Sequence, residues 1–489
     1  MGNSCGGHSY YIALAENNPR YQGGFIWDFI DQAIQDTSYS GQKYLAFGGD
    51  FDDRPADDNF CVNGILFADR TLSPKMSEVK YNYQNIRLEI TENRIKVINK
   101  ALFTDTSEYD CAISLYNNGV HVSAEKITTK VEPMRSADLE IPQSITEKAG
   151  MLYGDITYVV SFTLKNDTLW AEKGYEVAFG QYTFIKNAIP AKEDASAVKL
   201  LNCDYTIGVK GADFSAIFHK FAGLISYKYK DVEMLKSPLE PNFWRAPIDN
   251  DNGNGMKFRD SFWKTASMYK KPEFVGAHMD GSSAVIEYTY SYPLNDEVKV
   301  DMRYTVHEDG RIEVTMGYKG YENLPEIPEF GIVVKVKPEL NMQTWYGFGP
   351  AENYRDRNNG SKLGIYKEKV SESLTPYVIP QECANHTGIR YTKVTDENGF
   401  GLCFESKDAP DYMEGSVLPY TPHELENARH IYELPPVNYS VVKIAKEQMG
   451  IGGDDSWGSR PHDEYIIPSD KAHEFSFVMY GVGGVSSGL

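Results

Sequence analysis

From Ile86 onward, apolar side chains return at every second position in short runs, and this period of two limits the fold more than any other feature of the sequence. Arg87-Leu88-Glu89-Ile90, Ile95-Lys96-Val97-Ile98, Ala112-Ile113-Ser114-Leu115-Tyr116 and Thr157 to Phe162 alternate or run apolar between Asn, Gly and Asp turns. A second series follows: Tyr205 to Val209, Ala284 to Tyr290, Val298 to Val300, Ile312 to Met316 and Ile332 to Val336. No repeat of fixed length organises them, which disfavours a solenoid or propeller. The pattern predicts a sandwich of about 100 residues over 86–190 and a large antiparallel sandwich over 198–489. Asn187 to Ala197, with Pro190 and mixed charge, is the expected linker.

Residues 1–85 follow another rhythm. Tyr10, Tyr11, Leu14 and Ala15 lie at roughly helical spacing between Asn3 and Arg20, with Pro19 as a stop. Phe25-Ile26-Trp27, preceded by Gly23-Gly24 and followed by Asp28 and Asp31, predicts a buried strand whose C-terminal end opens into polar space. A long Asp- and Gly-rich loop from Gln32 to Arg70 then leads to a helix from Pro74 to about Gln84. Helix, strand and loop in this order suit an α/β barrel, whose sites lie at the C-terminal ends of its strands.

A chain of 489 residues is expected to form two to four domains. Its net charge of -20, without a Lys or Arg patch, argues against a nucleic-acid or membrane partner, and no apolar stretch is long enough to span a bilayer. Cys5, Cys61, Cys111, Cys203, Cys383 and Cys403 are scattered without Cys-x-x-Cys spacing; they read as reduced thiols of a cytoplasmic protein rather than zinc ligands. Met1-Gly2 with Cys5 fails as an acylation signal because Gly6 stands where Ser or Thr is needed, and no secretory leader is visible.

Several ordered strings carry a family resemblance. Met1-Gly-Asn-Ser, Gly23-Gly24-Phe25-Ile26-Trp27-Asp28, Gly48-Gly49-Asp50-Phe51 and Phe60 to Arg70 resemble the last part of the catalytic barrel of large bacterial β-galactosidases, glycoside hydrolase family 2. The resemblance continues through Arg245 to Asp251, Gly347 to Tyr354 and Met449 to Trp457. It implies a mainly β chain: the incomplete C-terminal end of a (β/α)8 barrel over 1–85, an immunoglobulin-like linker sandwich over 86–190 and a β-supersandwich over 198–489.

The same resemblance implies residue roles. Trp27 matches a tryptophan of the family's galactose site; from the residues alone, a core tryptophan packing the barrel is an equal reading. The Phe60 carbonyl and Asn63 side chain match ligands of a sodium ion near the galactosyl 6-hydroxyl, a site that needs further donors and is incomplete here. Without the motif, Asn63 reads as a turn residue. Trp457, after the turn-rich Gly452-Gly453-Asp454-Asp455-Ser456, matches the platform for the leaving sugar, against the alternative of a buried sandwich tryptophan. Asp249 to Gly253 resembles a segment near the site but lacks the distal Glu of a calcium loop, and no ligand role is expected of it.

Retaining glycosidases need two carboxyl groups about 5 to 5.5 Å apart. In the resembled family the nucleophile lies just before the Met-Gly-Asn-Ser string, and the acid/base and magnesium ligands earlier still. The expectation is therefore that no catalytic residue lies in this sequence and that the chain alone is inactive. Asp28, Asp31 and Asp50 are poor substitutes, because some acids always lie near an opening. Expected partners are a galactoside and the N-terminal part of the enzyme, with a homo-oligomer when intact. The alternatives are the complementing subunit of a split β-galactosidase and a non-catalytic carbohydrate-binding protein.

Overall fold

The structure, a computed structural model, describes residues 1–186, 197–407 and 412–483. The expected linker at 187–197 therefore lies almost wholly outside the described residues. The chain divides into two compact units, one of Met1–Met76, Asp194–Asn358 and Tyr366–Leu489, the other of Ser77–Glu193 and Asn359–Ile365. It is mainly β, and its strands fall where the two-residue period put them.

Among the described residues, the smaller unit is a seven-stranded sandwich. One sheet pairs Ile86–Ile90, Arg94–Asn99 and Ser136–Glu140; the other runs in the order Val120–Ile127, Tyr109–Asn117, Gly154–Leu164, Glu176–Lys186. Alternation explains the packing: Ile95 and Val97 from one sheet and Ile113, Leu115, Ile156 and Val160 from the other meet in one apolar core.

Beside a five-stranded sheet of Lys199–Asn202, Thr206–Lys210, Phe214–His219, Gly223–Tyr229 and Val232–Glu233, the described residues of the larger unit form two further extended sheets. One orders Glu240–Asn242, Glu329–Val336, Ser440–Gln448, Met413–Leu418 and His386–Ile389. The other runs from the Lys271–Asp280 edge through Ser283–Tyr292, Asn295–Val306, Ile312–Tyr318, His473–Val482, Gly401–Ser406 and Tyr391–Thr395 to Met342–Gly349. His473–Val482 is hydrogen-bonded antiparallel on both sides, to Ile312–Tyr318 and to Gly401–Ser406. Trp244, Trp263, Phe243 and Phe330 fill the common core. No helix among the described residues is long and apolar enough to cross a membrane.

Of the expected barrel portion, 1–85, residues 1–76 belong to this larger unit and 77–85 to the smaller one. The first helix, α1 (His8–Asn17), buries none of its residues. Tyr10 instead stacks on His462, with centroids 4.7 Å apart, and donates to Glu464, while Tyr11 donates to the Asp454 carbonyl. Phe25-Ile26-Trp27 is a correction to the expected buried strand: it is not a strand, Phe25 is fully exposed and Trp27 is 79% exposed. Pairing begins only at Asp28. Residues 28–31 run parallel to 63–66, through Asp28 N–H to Asn63 O (3.0 Å), Leu66 N–H to Phe29 O (3.0 Å) and Asp31 N–H to Leu66 O (3.0 Å). The tripeptide before Asp28 has no partner strand among the described residues, so no ladder fixes it as a strand; Phe25 and Trp27 are exposed and Ile26 is half-buried. Gly64 is required at this crossing, since a Cβ there would lie 2.2 Å from the Asp31 nitrogen. The loop expected over 32–70 holds a short hairpin, Ile34–Thr37 with Lys43–Ala46, and buries Phe47 and Val62 against Val378.

Charge is also buried here. Lys443 lies between Glu329 (2.8 Å) and Glu382 (2.6 Å), and Arg357 pairs with Glu352 (3.1 Å) while donating to the Asn3 side chain (2.8 Å) and Ser4 carbonyl (2.7 Å). Burial pushes the Glu414 carboxyl up to about 8, although Arg355 and the Asn385 amide favour its charged form. A carboxyl raised in the folded state contributes stability that is full below its unfolded value and lost as pH rises through about 8. Urea unfolding of the wild-type chain from pH 5 to 9 is expected to show declining stability, and Glu414→Gln a shallower decline; equal slopes would show that Glu414 is ionised throughout.

Candidate functional site

Asn63 sits at the start of the parallel pair. Its backbone carbonyl accepts from Asp28, the residue after Trp27, and its side-chain Nδ2 donates to the Phe60 carbonyl at 2.5 Å. Phe60 and Asn63 are thus brought together, and the Asp28–Asn63 bond sets the exposed Trp27 one residue away along the chain. Trp27 is not a core residue. The Phe60–Asn63 pair as arranged does not make a cation site: the amide nitrogen faces the carbonyl oxygen, and two neutral oxygens are too few for a coordination shell.

Of the acids nearby, Asp31 and Asp50 hold backbone and Asp28 a side chain. Asp31 Oδ1 accepts from the Gly64 N–H at 2.7 Å, and burial pushes its carboxyl up against the opposing pull of Lys75. Asp50 accepts from the Phe47 N–H (2.9 Å) and faces His430 Nε2 (3.0 Å), whose ring is stacked by Phe47 and Tyr432. Asp28 accepts from the Gln32 amide at 2.6 Å.

Trp457 lies on a separate loop and is 58% exposed, so it too is not buried in the sandwich. Asp455 shapes that loop: its Oδ1 accepts from the backbone N–H groups of Trp457 (3.0 Å), Gly458 (3.0 Å) and Ser459 (2.9 Å). Burial pushes the Asp455 carboxyl up, but these donors outweigh it and hold the group below the usual carboxylate range. The loop is braced by Tyr10 and Tyr11 of α1, and by Gly253, where a Cβ would lie 1.8 Å from the Trp457 carbonyl oxygen.

Sequence reasoning missed what joins these loops. Asp249 and Asn250 open a short helix, α2 (Asp249–Gly253), whose first three residues are buried. The Asn59 side chain, next to Phe60, donates to Asp249 Oδ2 at 2.8 Å; Asn250 Nδ2 donates to the Ser459 carbonyl, two residues past Trp457, at 2.8 Å. Arg245 fixes the turn with a two-pronged grip on Asp251 (3.1 and 3.0 Å) and further bonds to the carbonyls of Met449 and Gly450. One buried turn therefore touches both the loop of Phe60 and Asn63 and the loop of Trp457. A usable signal was the Arg245-Ala-Pro-Ile-Asp-Asn-Asp string itself, polar residues packed into an otherwise apolar stretch.

Comparison with known proteins places this architecture. Residues 1–88 match the family model of the glycosyl hydrolases family 2 TIM barrel domain, 95–184 that of β-galactosidase domain 4, and 210–479 that of the β-galactosidase small chain. The chain belongs to the β-galactosidase family. A β-galactosidase of Halalkalibacterium halodurans is 43% identical over 98% of this chain and 47% of its own length. One of Streptococcus thermophilus is 38% identical over 98% of this chain and 46% of its own. The chain thus spans slightly under half the length of these relatives. A solved galactose mutarotase related enzyme of Lactobacillus acidophilus aligns at 12% identity and a TM-score of 0.31, covering 58% of this chain and 97% of its own.

Asp455→Ala is expected to release the Trp457 loop. Acrylamide quenching of tryptophan fluorescence should rise relative to wild type, and the wild-type protein should move toward that value as pH falls below the ordinary carboxylate range, because protonation removes the charge that strengthens the three bonds. Quenching unchanged in the variant would show that Asp455 does not hold the loop.

Proposed function

We propose that this chain is the C-terminal part of a retaining β-galactosidase, supplying sugar-binding surface to a reaction whose acid/base and nucleophilic glutamates lie outside these 489 residues. The observation that carries this reading is the pair of exposed tryptophans, Trp27 and Trp457, on loops tied to one buried turn with Asn63 beside the first. A flat indole face suits the C–H face of a pyranose. Trp27 and Asn63 would contact the galactosyl unit and Trp457 the leaving group, while the double displacement through a galactosyl-enzyme intermediate proceeds on the other part. Sodium at Phe60 and Asn63 would require Asn63 to turn its amide and the other part to add donors; magnesium belongs wholly to that part. The names of the relatives support the substrate class.

A complementing role has its own support. Phe25, Phe29, Ile34 and Leu72 are exposed together with Trp27 on the barrel portion, an apolar surface that fits the remaining barrel of a second piece. The assembled enzyme would be a cytoplasmic homo-oligomer acting on β-galactosides such as lactose. Binding without catalysis is the competing reading.

Purified alone, the chain is expected not to turn over a chromogenic galactoside; mixed with the N-terminal part of a β-galactosidase relative, it should. Robust turnover by the chain alone would overturn the assignment of the acids. Calorimetric binding of galactose by the chain, with no activity recovered on mixing, would favour the binding protein.

A further inference from the structure

Asp249 and Asn250 are neighbours in sequence, yet they hold segments 190 and 209 residues away. Both are buried, at 8% and 1% exposure, and the turn that carries them is joined to the core through the guanidinium of Arg245, which grips Asp251 and the carbonyls of Met449 and Gly450. Asp251 also accepts from the Ile248 N–H at 3.2 Å, closing the turn on itself. On one side, Asn59 is itself buried, and its backbone carbonyl accepts from Val62, so its position is passed to Asn63 within four residues. From Asn63 the path runs through the Asp28 N–H to Trp27. On the other side, Asn250 grips the Trp457 loop by Nδ2 alone; its Oδ1 is buried without a hydrogen bond in the protein. The loop's hold on the turn through this side chain is a single bond and is easily changed.

We propose that Asp249 and Asn250 are positioning residues that couple the Trp27–Asn63 loops to the Trp457 loop, so that displacement of one is transmitted to the other through a two-residue lever. The coupling is a property of this chain. Only its consequence for catalysis, that engagement of the galactosyl side and of the leaving-group side is interdependent, rests on the function proposed above.

The test uses the full chain labelled with 5-fluorotryptophan, whose six fluorine resonances are assigned by Trp27→Phe, Trp457→Phe and corresponding single replacements. Asn250→Ala is expected to shift or broaden the Trp457 resonance and also that of Trp27; Asn59→Ala is expected to move Trp27 and also Trp457. Trp170, in the smaller unit, serves as the unmoved control. Asn250→Asp, which keeps the side-chain volume but loses the donor, replaces Asn250→Ala if the latter does not fold. If each substitution moves only the tryptophan on its own side, the lever is refuted, whatever the galactoside assays show. In the reassembled enzyme, Asn250→Ala is expected to raise KM for lactose about tenfold with kcat changed less than about twofold; an unchanged KM with the resonances still coupled would refute the catalytic consequence and leave the lever standing.

Discussion

The Arg245–Asp251 pair is the constraint on which the site depends. Both side chains are almost fully buried, so neither charge can be left to solvent, and the guanidinium uses its remaining donors on the carbonyls of Met449 and Gly450. Breaking such a pair by removing one partner leaves an uncompensated charge in the interior, a loss of about 3 to 5 kcal/mol, whereas the intact pair adds little net stability. Its value here is geometric. It fixes α2, and α2 presents Asp249 to one loop and Asn250 to another.

The polar interior extends the same logic. Lys443 bridges two glutamates, and the amide of Asn3 joins Tyr354, Glu382 and Arg357 in one connected network, in which Glu382 Oε2 and Arg357 Nε stay without a protein partner. A buried network of this kind is costly when half-satisfied and specific when complete. The first few residues of the sequence are thereby seated inside the larger unit, and the barrel portion is joined to the supersandwich by directional bonds more than by the surface of α1, which buries no residue.

The strands were legible because each carries its own signal: Ile312–Tyr318 alternates buried and half-buried side chains without interruption, as its sequence suggests. Phe25 to Trp27 misled for the complementary reason. Its apolar run satisfies the local pattern for a buried strand, but burial is a property of neighbours, and pairing with the 63–66 segment begins only at Asp28. The prominence of Trp457 was readable from the turn chemistry before it, where Asp455 now collects three backbone donors. The bonds from Asn59 to Asp249 and from Asn250 to Ser459 were not readable, since no local periodicity records a hydrogen bond between residues some two hundred positions apart.

The place of His473–Val482 in the middle of the largest sheet has a consequence for biosynthesis. Because this strand bridges Ile312–Tyr318 and Gly401–Ser406, the emerging polypeptide carries two unjoined half-sheets with bare edges until residue 482 has left the ribosome. Such edges invite pairing with other chains, and closing them requires contacts between distant parts of the sequence, which is slow. Yield in a cell would then be governed by how long those edges stay shielded, a matter for chaperone supply and translation speed rather than for the stability of the finished molecule.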